Sequence, residues 1–302
     1  MVFVVTGGAG FIGSHLVEEL VKKGEEVIVI DNLHTGNLEN IKEFEVEFLE
    51  GRAKEISSIK KSVDGIFHLG IYSSSPMYKE NRFLISEALE DFIHLMEFAK
   101  ENKVKVILTS SSSIYNGNPI PWKENMRIIP SDFYTECRYA MERIAEVYNK
   151  LYGVKCVVLR LFSVYGPREE YKGKYANLVS QFLWSINKNE QPIIFGDGTQ
   201  TRDFIWVKDV IKAYLLAMEK DIDFDIFNVG TGKNYSLNEV VEIINKTFGK
   251  NVKPKYVENP IKNYVFHTLA DTTKAEEVLK FKAKVSLKDG IKILANVNKN
   301  KV

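Results

Sequence analysis

Cysteine is almost missing from this chain, with two residues, Cys137 and Cys156, in 302. They fall in a predicted helix and a predicted strand, and neither belongs to a CxxC or a Cys/His cluster. That argues against a disulfide framework and against a zinc site. A reducing cytoplasm is the compartment that fits such usage. Net charge is also nearly absent, at +1, so nothing points to a nucleic acid or an anionic membrane as partner. No apolar run approaches the length of a bilayer span. A cleavable leader is not expected either, because the first predicted strand begins at Val2 and the fold needs it. Repeats and low-complexity tracts are lacking too.

What remains is an ordinary globular composition, 45% hydrophobic and 27% charged, and at 302 residues there is room for a large core and two lobes. The basic residues are mostly lysine, balanced by plentiful glutamate. Hyperthermophile proteins show that bias, and an A/T-rich genome would give it as well.

The organising stretch is Val2-Phe3-Val4-Val5-Thr6-Gly7-Gly8-Ala9-Gly10-Phe11-Ile12-Gly13. Its apolar, largely β-branched start predicts a buried strand. The glycines allow a sharp turn and close approach of a ligand. A helix from about Phe11 then aims its unpaired N–H groups and partial positive charge back at the turn. That combination makes a pyrophosphate site. A second strand, Val27 to Ile30, ends at Asp31, the offset at which a carboxylate grips an adenosine ribose. The stretch therefore predicts dinucleotide binding.

Further strands are expected at Val46 to Leu49, Gly65 to Leu69, Val104 to Leu108 and Cys156 to Leu159, the last two after long helical stretches. Such alternation predicts a Rossmann-type doubly wound parallel sheet, α/β in class, covered on both faces. Beyond Phe162, Gly166-Pro167, Gly196-Asp197-Gly198 and Gly230-Thr231-Gly232 punctuate shorter elements and predict a smaller C-terminal α/β lobe across a deep cleft. The tail from Asn296 onward is expected to fray. Helices near 82–101 and 133–151 are apolar on more than one face, so each must bury two sides. Pairing with their twins across a dimer axis would do this, as would burial within one subunit.

Two stretches carry chemistry. Ser110-Ser111-Ser112-Ser113-Ile114-Tyr115 places hydroxyls at the carboxyl end of a strand, where open α/β sheets bind ligands. Tyr134 and Arg138 stand four apart on a helix and share a face. A phenol is a poor base at neutral pH, and a fixed cation one turn away favours its phenolate. His15, His68 and His94 read as packing or capping residues, while His267 stays open. Trp122, Trp184 and Trp206 read as packing, with Trp122 also a candidate for the cleft wall.

Over almost its whole length the chain resembles extended short-chain dehydrogenase/reductases, and within them UDP-glucose 4-epimerases. The shared motifs are Thr6 to His15, Asp31-Asn32-Leu33-His34-Thr35-Gly36, Ser110 to Tyr115, Val164-Tyr165-Gly166-Pro167-Arg168, Phe195 to Phe204 and Asn228-Val229-Gly230-Thr231-Gly232. The resemblance implies an NAD-binding domain at 1–162, with part of 204–230 returning to it, and a lobe at 163–302 that mainly binds nucleotide sugar. It implies NAD as cofactor, a UDP-sugar as substrate and a homodimer. Catalysis would rest on Ser111, Tyr134 and Arg138. Cofactor contacts would come from Gly7, Gly10, Phe11, Ile12, Gly13, Asp31, Asn32, Arg52, Tyr134 and Arg138. Substrate contacts would come from Ser111, Ser112, Asn177, Leu178, Phe195 and Arg202, the last as a guanidinium fork on the diphosphate.

The chain also departs from the family. Arg138 replaces the YxxxK lysine, and Arg52 replaces an aspartate that usually contacts adenine. Ser163 stands for an asparagine, Ile261 and Tyr264 for an arginine and an acidic residue, and Ala88 for an asparagine. Asp31 would repel a 2′-phosphate and so favours NAD, whereas Arg52 leaves NADP open.

Overall fold

The computed structural model describes residues 1–299. Seven parallel strands form the main sheet: β1 (Val2–Thr6), β2 (Glu26–Asp31), β3 (Glu47–Glu50), β4 (Gly65–His68), β5 (Lys105–Ser111), β6 (Cys156–Leu161) and β11 (Phe224–Val229). Their spatial order is β11-β6-β5-β4-β1-β2-β3. The order reverses between β1 and β4, which opens a crevice at their carboxyl ends. The strands are apolar on both faces because helices cover both. On one side α3 (Leu84–Asn102) and α4 (Phe133–Tyr152) pack over Val4, Ile28, Ile66, Val106 and Val158. On the other, α1 (Phe11–Lys22) and α6 (Val207–Glu219) cover Phe3, Val5, Val29, Phe67 and Leu159.

The second lobe has its own core of Tyr165, Phe182, Leu183, Ile194, Trp206, Val240, Ile244 and Ile291. These come from α5 (Leu178–Asn187), α7 (Leu237–Phe248), α8 (Leu287–Lys299) and short two-stranded pairs. The chain therefore stays helical through 296–299, where fraying was expected, because Leu287, Ile291, Leu294 and Ala295 bury one face of α8. The rest of the expected frayed tail, 300–302, lies outside the described residues.

Strand β5 also runs further than its apolar part suggests. Thr109, Ser110 and Ser111 continue the ladder with β6, and two of their hydroxyls find partners in the interior. Thr109 Oγ1 meets the Tyr214 hydroxyl at 2.5 Å, and Ser110 Oγ donates to Glu142 at 2.5 Å. Glu142, on α4, also accepts from Arg160 Nε and Nη2 at 3.0 and 2.6 Å. Arg160 Nη1 donates to the Tyr115 hydroxyl, which donates to Asn228. A buried polar network is stable only when its members are satisfied. This one ties α4 to β5, β6 and β11, and so fixes the helix that carries Tyr134.

Candidate active site

A cavity of about 310 Å³ lies along the carboxyl ends of the sheet. Its floor is the turn between β1 and α1. Gly7 has a φ of +70°, and a Cβ on Gly13 would fall 2.0 Å from the Gly7 carbonyl oxygen. Only glycine lets the turn close this tightly, leaving the first turn of α1 to face the cavity. Asp31, at the end of β2, is held by the N–H groups of Ala9 and Leu33 at 3.0 and 2.8 Å. Burial pushes its carboxyl up, and those N–H groups oppose the shift.

Ser111 and Tyr134 line the same cavity. Ser111 Oγ accepts from the Ser113 N–H at 3.2 Å, which leaves its own proton free to donate. Tyr134 sits in the first turn of α4. Asp132 caps that turn by accepting from Thr135 N at 2.8 Å, and Ser75 Oγ donates to Asp132 at 2.6 Å. Tyr134 is 8% exposed, with the Tyr78 ring 5.7 Å away. Burial raises the Tyr78 phenol, which stays protonated.

Arg138 lies beneath Tyr134, its guanidinium carbon 5.1 Å from the ring centre. Nη1 donates to the Thr109 carbonyl at 3.0 Å and Nη2 to the Tyr72 carbonyl at 3.2 Å. Its Nε is a buried donor without a protein partner among the described residues. Arg138 borders the cavity, but that nitrogen presents no surface to it. The tight glycine turn and Asp31 make the cavity a match for a dinucleotide. Next to Arg138, His68 is fully buried and stacks on Phe92 at 5.4 Å. Its Nδ1 lies 2.8 Å from Thr6 Oγ1, which also accepts from Gly70 N.

Gly7, Gly10, Phe11, Ile12, Gly13, Asp31, Asn32, Arg52, Ser111, Tyr134, Arg138 and Asn177 all border the cavity. Four expected substrate residues, Ser112, Leu178, Phe195 and Arg202, do not. Arg202 donates to the Thr201, Val265 and Phe266 carbonyls and lies 5.2 Å from the Tyr264 ring. Asn177 caps α5 through the Val179 N–H at 2.9 Å. Lys172, Tyr72 and Asp91 line the cavity without having been anticipated. Asp91 left a readable signal, because a carboxylate falls within the buried Leu84/Ala88/Phe92/Leu95 stripe of α3. Lys172, in a short 3-10 helix (Glu170–Tyr175), and Tyr72, in a loop, carry no such signal.

The parallel sheet, glycine turn and hydroxyl–phenol–guanidinium cluster define a dinucleotide-dependent α/β enzyme. Residues 3–230 match the NAD dependent epimerase/dehydratase family, and the chain belongs to it. Its cofactor is NAD. A putative UDP-glucose 4-epimerase of Methanocaldococcus jannaschii is 37% identical over 98% of both chains. Among solved structures, UDP-glucose 4-epimerase of Thermotoga maritima with UDP-glucose is 33% identical, with a TM-score of 0.94 over 100% of this chain and 99% of that one. UDP-glucuronic acid 4-epimerase of Bacillus cereus, with UDP-glucuronic acid and NAD, is 27% identical, with a TM-score of 0.91 over 100% of both.

Desolvation, and then the Arg138 charge, hold the His68 imidazole down at about 3 against an ordinary 6.5. The folded protein thus resists a proton that the unfolded chain accepts below about 6.5, so stability is full above that pH and falls as pH drops towards about 3. In urea unfolding between about pH 6.5 and pH 4, His68→Gln will show a shallower fall in stability than the parent. Equal slopes would mean that His68 does not resist protonation in the fold.

Proposed function

We propose that this chain is an NAD-dependent 4-epimerase of a nucleotide sugar, acting on UDP-glucose and UDP-galactose through a 4-keto sugar. The observation that carries the reading is that Ser111 and Tyr134 border one cavity with the glycine turn, over a buried guanidinium. NAD, when bound, supplies a reversible hydride acceptor. Tyr134 takes the proton of the sugar 4-hydroxyl, and Ser111 donates to the same oxygen and relays the proton. Arg138 stabilises the phenolate in which Tyr134 begins the step, and the phenol becomes neutral as it takes the proton. The 4-keto sugar turns about its diphosphate and presents its other face. On this reading residues 1–162, joined by part of 204–230, hold the cofactor, and 163–302 mainly hold the nucleotide sugar. Ser112, Asn177, Leu178 and Phe195 shape the sugar and base pockets, and Arg202 exchanges its carbonyl partners for phosphate oxygens. The 4-epimerase names of the similar proteins support the reading. The two buried thiols, Cys137 and Cys156, fit a cytoplasmic enzyme.

The helices α3 and α4 supply the homodimer surface. Phe83, the residue that precedes α3, and Ile93 within it are 77% and 43% exposed, and Val147 and Leu151 of α4 are 44% and 66% exposed. Burying them against a second copy removes an apolar patch that water disfavours. In sedimentation the parent will run as a dimer and Val147→Glu as a monomer; a monomeric parent would contradict the assignment.

The activity test is to incubate the purified protein separately with UDP-galactose, UDP-glucuronate and UDP-N-acetylglucosamine, following the anomeric signals by NMR. UDP-galactose will convert to UDP-glucose without added cofactor, and Tyr134→Phe will slow turnover by about 10²–10⁴. An absorbance change of the cofactor that does not reverse would instead mark a net redox enzyme. Turnover of another sugar alone would reassign the substrate.

A further inference from the structure

The cavity passes the ends of three neighbouring strands, β1, β2 and β3. Adjacent strands lie about 4.8 Å apart, so a ligand laid across them meets a new strand end with each chemical group. The glycine turn after β1 suits the pyrophosphate and Asp31 after β2 suits the ribose. The base therefore falls at the end of β3. There Gly51 N–H donates to the Asp31 carbonyl at 3.1 Å, and Arg52 and Ala53 border the cavity.

Adenine presents an exocyclic amino group, which requires an acceptor. Arg52 has none to offer, since a guanidinium only donates. Opposite it, on α3, stands Asp91, 5% exposed and lining the same cavity. Arg52 Nε lies 3.1 and 3.2 Å from its two oxygens, and Nη2 lies 2.9 Å from Oδ1. Arg52 is pinned in turn by Glu90 at 2.6 Å and by the Glu87 carbonyl at 3.0 Å. An ionised carboxylate has about four acceptor positions, so this clamp orients the group without saturating it. Burial pushes the Asp91 carboxyl up, against the opposing pull of Arg52 and of a Lys54 backbone N–H.

We infer that Asp91, oriented by Arg52, is the acceptor that recognises the adenine amino group of NAD in this chain. The carboxylate comes from α3, the helix across the cavity from the end of β3. Arg52 is the positioning residue of the pair. With Asp91 and Glu90 neutralising it, it offers little attraction to a 2′-phosphate. The inference rests on NAD occupying the cavity as proposed above.

The test is equilibrium binding to the full-length, cofactor-stripped protein, by calorimetry, of NAD and of nicotinamide hypoxanthine dinucleotide, which carries an acceptor in place of the amino group. The parent will bind NAD at least about tenfold more tightly, the scale of one hydrogen bond to a charged group. Asp91→Asn, whose amide serves as donor or acceptor, will bring the two affinities within about threefold. Equal affinities in the parent, or an unchanged gap in Asp91→Asn, would overturn the inference while leaving the cofactor site intact. If Asp91→Asn does not fold, the comparison on the parent alone decides. No binding of either dinucleotide would overturn the cofactor placement itself and this inference with it.

Discussion

A guanidinium shut away from water has to be held by oxygens, and for Arg138 these are the carbonyls of Thr109 and Tyr72. One belongs to β5 and the other to the loop that follows β4, so a single side chain on α4 fastens two strand ends at the edge of the crevice. The same cation lies under the Tyr134 ring. An arginine can do both because its flat fork donates in two directions while its face remains free to stack. A lysine at this place would bring a single point charge. The departure from the family lysine is thus a different mechanical solution as well as a retained positive charge. His68 stays neutral alongside, which avoids a second buried cation.

The surrounding framework keeps that charge in place. Removing one partner of a buried pair is costly because the other is left uncompensated. The Arg160–Glu142 pair joins β6 to the middle of α4, and the Asp132 cap fixes its first turn. Between those two anchors Tyr134 and Arg138 have little freedom, as their proposed catalytic roles require. The cofactor end follows the same rule. Asp31 and the Arg52–Asp91 pair are each locked by hydrogen bonds before any ligand arrives.

Much of this was legible before the structure. The strand–turn–helix at residues 2–22, the carboxylate at Asp31 and the parallel strands follow from local pattern, because buried strands and glycine turns leave strong compositional marks. Ser111 could be placed at the crevice because strand ends are where such sheets bind ligands, and Tyr134 through the family resemblance. The pairings across the chain were not legible. That Arg52 meets Asp91, or that Arg138 meets Tyr72, depends on packing between elements dozens of residues apart, which no local period records. Arg202 is a further case: its guanidinium donates to the Val265 and Phe266 carbonyls, partners that its motif does not record. Motif position alone does not say which oxygens a fork will take.

On the proposed reading the buried Arg138 guanidinium supports the chemistry at Tyr134, while ligand binding is carried by other residues. The most direct measurement is the steady-state kinetics of nucleotide-sugar isomerisation by Arg138→Gln, with bound NAD assayed in the same preparation. In this variant kcat will fall by about a hundredfold or more, with KM within about threefold and NAD retained. Parental kcat in a folded, NAD-loaded Arg138→Gln protein would contradict it.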